Sequence, residues 1–358
     1  MLKSKSRKII EEYEAQLKSS EGSGSNPSER NDSSRNDPDN RDQNHSDDRR
    51  ANHSDENDPR NAPDRKLRQE ELKRQIGEEE TFFTLMRRMA HENKLAVVSA
   101  VVILLFILGA IFAPYLTPYS YSQMDLMHRL SPPSPAHLLG TDEAGRDVLT
   151  RLLYGSRVSL LTGVVPTIMS MIGGALLGLI AGFYGKWVDA VIMRLADVML
   201  AFPSMLFAMV IMYMLGDGLI NVFLTLAIVS WASVARIVRS QTLALKETEF
   251  VEAARVIGVS RMRIIFRHLL PNCLPIMIVL FTLNVPAAIL TESSLSFLGL
   301  GVQPPAASWG LMVNQGRQYL YNAPWVSLAP CIAIMLIVLA FNFLGDGMRD
   351  VLDPFHKK

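Results

Sequence analysis

Cysteine is almost absent: Cys273 and Cys331 are the only two in 358 residues. Both fall in apolar runs, which argues against a secreted disulfide framework and reads them as small buried apolar residues. An excess of either charge is also missing. Thirty-six Lys and Arg against 35 Asp and Glu leave a net charge of +1, so nothing points to nucleic acid as a partner. The phosphate-cradling pattern G-x-x-x-x-G-K-[ST] does not occur; the nearest stretch, Gly182-Phe183-Tyr184-Gly185-Lys186-Trp187, has the wrong spacing and no hydroxyl after the lysine. It reads as a turn, and no ATPase is expected on this chain. H-E-x-x-H, G-x-S-x-G and any clustered Cys/His set are lacking as well, so neither catalysis nor a cofactor or metal site is expected. His91, His128 and His137 read as surface or interface residues.

What is present divides sharply. Residues 1–94 are rich in Asn, Asp, Ser, Arg, Glu and Lys, and from Leu95 onward long apolar runs alternate with short polar ones. Ile9, Ile10, Tyr13 and Leu17 have helical spacing, which predicts a short amphipathic helix over residues 1–18. Residues 19–63 hold nothing that could form a core and read as disordered, with a charged helix resuming near 64–80. The expected division is a polar extension over 1–80, a first transmembrane helix with its following loop over 81–157, and a five-helix core over 158–354.

Six apolar segments follow the extension: Leu95–Ala113, Val158–Phe183, Ala190–Leu215, Gly218–Ala235, Cys273–Thr291 and Val326–Leu344. A hydrocarbon core of roughly 30 Å takes about 20 helical residues, so six membrane spans and an all-α integral membrane fold are predicted. The first run lacks a small-residue cleavage motif and reads as a retained span rather than a signal peptide. Gly174, Gly178 and Gly182 at four-residue spacing predict close approach of a neighbouring helix. Lys and Arg before the first span, between the second and third, between the fourth and fifth, and after the sixth would share one side, the cytoplasm. Secondary transporters keep ionisable residues at mid-membrane, and these spans hold almost none. Arg194 and Asp197 read as a local ion pair on one helix face, and Glu292 as an outer-end residue able to meet water.

The strongest pattern lies between the fourth and fifth segments: Glu249-Phe-Val-Glu252-Ala253-Ala254-Arg255-Val-Ile-Gly258-Val-Ser260-Arg261, continuing to Arg267-His268-Leu269-Leu270-Pro271. Its alanines favour a thin-surfaced helix, Gly258 can take positive φ, Ser260 suits an N-cap, and Pro271 suits the junction with the fifth span. A helix–turn–helix across the cytoplasmic face is expected. The spacing closely resembles the E-A-A loop of importer-type ABC permeases, with His268 in place of the usual isoleucine. Two further stretches, His137–Arg157 and Ser293–Gly310, resemble the C-type subunit of dipeptide, oligopeptide and nickel permeases. The resemblance runs from about Phe82 to Pro354 and leaves out the extension.

The resemblance implies a type I ABC importer permease forming half of a pore, with ATP hydrolysis on other subunits. It implies as partners a second, homologous permease, two cytoplasmic ATPases, an extracellular substrate-binding protein and the lipid bilayer, in a bacterial plasma membrane with both termini cytoplasmic. Glu249, Glu252, Ala253, Ala254, Arg255, Gly258 and Arg261 would meet an ATPase, while the outer loops at 114–157 and 293–325 would receive the binding protein. Peptide is the implied cargo, with nickel chelates and other small solutes remaining open. Pore candidates are Thr282, Asn284 and Ser204, and Pro203, Pro275 and Pro286 would kink moving helices. Two other readings stay open at this point: a self-sufficient secondary transporter or channel, and a membrane scaffold whose charged tail does the work.

Overall fold

The computed structural model describes residues 93–352, and the expected extension over 1–80 lies outside them, as do His91, Arg87, Arg88, Lys357 and Lys358. The described residues form helices α1 (Lys94–Leu116), α2 (Val148–Tyr184), α3 (Lys186–Ala201), α4 (Ser204–Leu215), α5 (Leu219–Leu245), α6 (Glu249–Val256), α7 (Arg261–Phe297), α8 (Trp309–Gly316) and α9 (Trp325–Leu352). Strands are absent among them; one isolated bridge joins Thr141 to Asp147. Five helices are long and apolar enough to cross a membrane, and the α3–α4 pair supplies a sixth if it is counted as one span.

That pair corrects the expected third span. It is bent by 94° between Ala201 and Ser204. The residue before a proline is pushed out of the helical region, and Phe202, at φ −89° and ψ 143°, shows it. Pro275 and Pro286, by contrast, sit inside α7 without ending it.

The second span is also longer than its apolar run, beginning at Val148 with Asp147 as a working N-cap, its carboxylate accepting from Thr150 N at 2.7 Å. At 37 residues α2 measures roughly 55 Å, well beyond a bilayer's apolar thickness. The glycine row does what its spacing predicts. A Cβ on Gly174 would lie 2.6 Å from the Trp231 carbonyl oxygen, and one on Gly178 2.5 Å from that of Ala235. The α2 and α5 backbones therefore meet at distances only glycine permits.

Three apolar clusters hold the bundle. One joins α1, α2, α7, α8 and α9 through Ile103, Val148, Ile289, Trp309 and Ile337. A second joins α2, α5, α6 and α7 through Leu179, Val238, Val251, Ala254 and Leu269. The third seats α4 through Ala208 and Met212 against Val222 and Leu226.

Several side chains stand elsewhere than their sequence context suggests. Asp197 pairs with Arg236 of α5 at 2.7 Å rather than with Arg194, because α3 packs beside α5 and the cross-helix geometry is better. Glu292 is fully buried instead of meeting water: α8 and the Ser308 turn close over it, and its Oε1 accepts from Ser296 Oγ at 2.7 Å. Cys273 is buried as expected, but Cys331 on α9 is exposed.

Candidate functional site

The site builds up from the helix ends around residues 246–271. α6 carries Glu249 and Glu252 in its first turn, where carboxylates complement the positive end of the helix dipole, and Arg255 in its last turn. The helix closes at Gly258 in a Schellman arrangement. Val259 N donates to Ala254 O at 3.0 Å and Gly258 N donates to Arg255 O at 3.0 Å, with Gly258 at φ +77°. Nothing lies within 4 Å of where its Cβ would be, so glycine is required there by backbone conformation and not by crowding. Ser260 occupies the N-cap position of the next helix at φ −61° and ψ 143°, although its side chain makes no capping bond.

The second arm is not a separate helix lying across the face. It is the head of α7, which runs unbroken from Arg261 through a π-helical turn at Ile265–Leu269 into the fifth span. Pro271 accounts for that turn: its ring would crowd the carbonyl of Arg267 and it has no N–H to give, and widening by one residue relieves both.

Of the sequence-predicted residues, Glu249, Glu252, Ala253, Arg255, Gly258 and Arg261 are exposed, while Ala254 faces inward beside Val251. Two residues that the sequence did not single out stand out here. Val256 is 82 % and Ile257 is 78 % exposed, an adjacent aliphatic pair at the tip of a helix whose Val251 and Ala254 are buried. The signal was in the sequence as two β-branched residues directly before the turn glycine. Inward, Val251 and Ala254 share one apolar cluster with Leu179 of α2, Val238 of α5 and Leu269 of α7. The Arg255 guanidinium also lies 5.5 Å over the Phe183 ring at the end of α2. A displacement of α6 is thus tied by packing to three spans.

At the opposite end of α2 the two other motif stretches meet each other. The Trp309 backbone N–H donates to Ser159 Oγ at 3.1 Å, and its indole N–H donates to Leu152 O at 3.1 Å. Gly155 gives the indole room: a Cβ there would come to 3.3 Å. Arg157 Nε donates to Ala110 O at 2.5 Å, satisfying the α1 carbonyl that Pro114, lacking an N–H, leaves free. Below them Asp142 accepts from Arg146 Nε at 2.7 Å and Arg151 Nη1 at 3.0 Å, and Arg151 also donates to Gln315 of α8 at 3.0 Å. Of the acidic residues in this loop, Asp142 and Glu143 are the partners of Arg146 and Arg151 in a buried network.

The three pore candidates make mostly local bonds. Thr282 is buried and donates to Val279 O at 2.8 Å; half-buried Asn284 donates to Leu280 O at 2.7 Å; exposed Ser204 opens α4 directly after the bend. Groups of three or more His, Cys, Asp or Glu able to hold a metal are absent among the described residues.

Comparison with known proteins bears directly on this arrangement. The family described as binding-protein-dependent transport system inner membrane component matches residues 159–358, and that described as N-terminal TM domain of oligopeptide transport permease C matches residues 81–133. A dipeptide transport system permease protein of Alkalihalophilus pseudofirmus is 49 % identical over 263 residues, covering 74 % of this chain and 86 % of that protein. A glutathione transport system permease protein of Pectobacterium atrosepticum is 44 % identical, covering 75 % and 89 %. An oligopeptide transport system permease protein of Bacillus subtilis is 42 % identical, covering 74 % and 87 %. The chain therefore belongs to the binding-protein-dependent transport system inner membrane components, multi-pass permease subunits of ABC importers whose ATPase resides on a separate chain.

Proposed function

We propose that this permease moves peptides inward, dipeptides or oligopeptides, as half of a pore shared with a second, homologous permease. Two cytoplasmic ATPases act on the assembly, one of them through the 249–271 loop, and an extracellular binding protein delivers cargo to the outer loops. The peptide cargo is supported by the printed names of the dipeptide and oligopeptide relatives. The chain sits in a bacterial plasma membrane with both termini cytoplasmic, which the alternation of Lys and Arg among the loops supports.

The observation that carries the coupling role is the two-faced character of α6. Its outer face presents Glu249, Glu252 and the tip pair Val256 and Ile257 to solvent, and its inner face is locked into the core of the bundle through Val251 and Ala254. An exposed aliphatic pair rimmed by charge is the composition of an interface core with its polar rim. A push on such a helix is transmitted to α2, α5 and α7 because packed interiors move as bodies.

Purification of the tagged chain from its native membrane in mild detergent tests this. Co-recovery of a six-span permease and an ATPase is expected, with the ATPase lost in Gly258→Pro, since proline cannot adopt φ +77°. Recovery of the chain alone, under conditions that keep other ABC complexes intact, would overturn it.

A further inference from the structure

Two ion pairs join α3 to α5, and they differ in kind. Asp189 and Arg239 form a two-pronged contact with side chains only 17 % and 29 % exposed, Arg239 Nη2 donating to Asp189 Oδ2 at 2.5 Å. Asp197 and Arg236 meet through a single bond of 2.7 Å, and their side chains remain 56 % and 53 % exposed. The first pair suffices to brace the two helices. The second is open to whatever lies beside the bundle.

Its position limits what that can be. Counting about 20 residues from Leu219 spans the apolar thickness of a bilayer and ends near Val238, so Arg236 stands at its inner edge, where the fourth apolar segment gives way to the basic loop. An arginine at that level reaches the interface, but aspartate is too short to snorkel, so the pair turns toward protein or a water-filled cavity and not toward lipid. Along α5 the face of Arg236 carries Ser233 at i−3 and Ser240 at i+4, and Ser240 is exposed. On α3, exposed Arg194 lies three residues from Asp197 and makes no ion pair among the described residues.

We propose that the Asp197–Arg236 pair lines the solute passage and offers its carboxylate and guanidinium to the ammonium and carboxylate ends of a zwitterionic solute. This rests on the peptide-import reading. With no solute present the two charges satisfy each other; a peptide whose termini carry both signs exchanges one ion pair for two and crosses without leaving either side chain uncompensated. A solute with blocked termini cannot make that exchange.

The test uses the assembled complex with its binding protein in vesicles, carrying Ser240→Cys, and follows modification by a small charged methanethiosulfonate. The unaltered chain, with Cys273 and Cys331, supplies the background. Modification at position 240 is expected, slowed at least tenfold on switching between nucleotide-free and ATP-trapped states. Dialanine should also slow it, N-acetyl-dialanine amide should not, and Asp197→Asn should remove the dialanine effect. Two results would overturn the proposal. One is no modification in any state, which places the face against lipid or a subunit. The other is modification indifferent to both nucleotide and dialanine, which makes the pair an exposed collar. ATP-dependent dialanine uptake by the unaltered complex is read in parallel; its absence would fell the peptide-import reading itself, and this proposal with it.

Discussion

The loop before α2 and the loop after α5 are both polar connections of about thirty residues or fewer, yet they are built on opposite principles. The end of the first loop and the first turn of α2, residues 142–151, consume their own charges. Asp142, Glu143, Arg146 and Arg151 face one another, with the Arg151 side chain 1 % exposed, and Trp325 reaches in to donate to Thr141 O at 3.2 Å. Residues 246–260 leave theirs outside: Glu249, Glu252 and Arg255 are exposed, and the tip pair Val256 and Ile257 touches little. A loop that satisfies itself is a finished surface. A loop that exposes aliphatic side chains beside unpaired charges carries an unmet contact, and its stability to mutation and its sensitivity in function should separate accordingly.

The largest effect should come from breaking the self-satisfied loop. Arg151→Met leaves Asp142 and Gln315 short of a donor in a buried place, and about 3 kcal/mol of stability should be lost, the lower end of what removing one partner of a buried pair costs. Thermal melting of the purified chain checks it; an unchanged melting curve would mean the network is ornamental. Val256→Asp with Ile257→Asp should do the reverse, leaving melting unchanged while ATPase association weakens at least tenfold in a pull-down, as expected when an apolar anchor is replaced by charge. A drop in melting without a drop in association would erase the contrast between the loops.

Smaller changes sharpen it. Gly258→Ala meets no atom within 4 Å but holds an L-residue at φ +77°, a strain of roughly 1–2 kcal/mol. Uptake should fall several-fold with the complex still assembled, and Gly258→Asn should fall less, since asparagine tolerates that region better. The smallest effect should be at Asp125. Its carboxyl sits below its ordinary value of 3.8, chiefly because of the side-chain hydrogen bond with His128. A depressed carboxyl contributes stability above its unfolded value and loses it as pH falls through the folded one, so the Leu126–His128 turn should loosen only below about pH 4. The Met127 methyl resonance, followed from pH 6 to pH 2.5, should stay fixed until then; movement between pH 6 and 5 would rule out Asp125 as the group that holds the turn.

Much of this was readable in advance where one residue type answers to one local demand. Gly258 at a left-handed helix end, the glycine row of α2 and the positions of the long spans all follow from spacing and conformation that a single segment carries. The residues that the sequence misplaces or passes over are those whose environment is set by another segment. Glu292 is buried because α8 folds over it, Asp197 chooses Arg236 because α3 lies along α5, and Val256 and Ile257 matter because no neighbour covers them. Pro203 was visible as a kink within one span, but the 94° bend that it permits goes with how α4 packs on α5.

By itself the sequence determined that the chain is helical, crosses a membrane several times and carries a glycine-closed helix between its fourth and fifth apolar segments, since periodicity, apolar length and turn chemistry are local properties of the chain. The tertiary structure alone decided which charges pair, which are spent inside the fold and which are left exposed, because a charge is worth little until its distance to an opposite charge and its exposure to water are known.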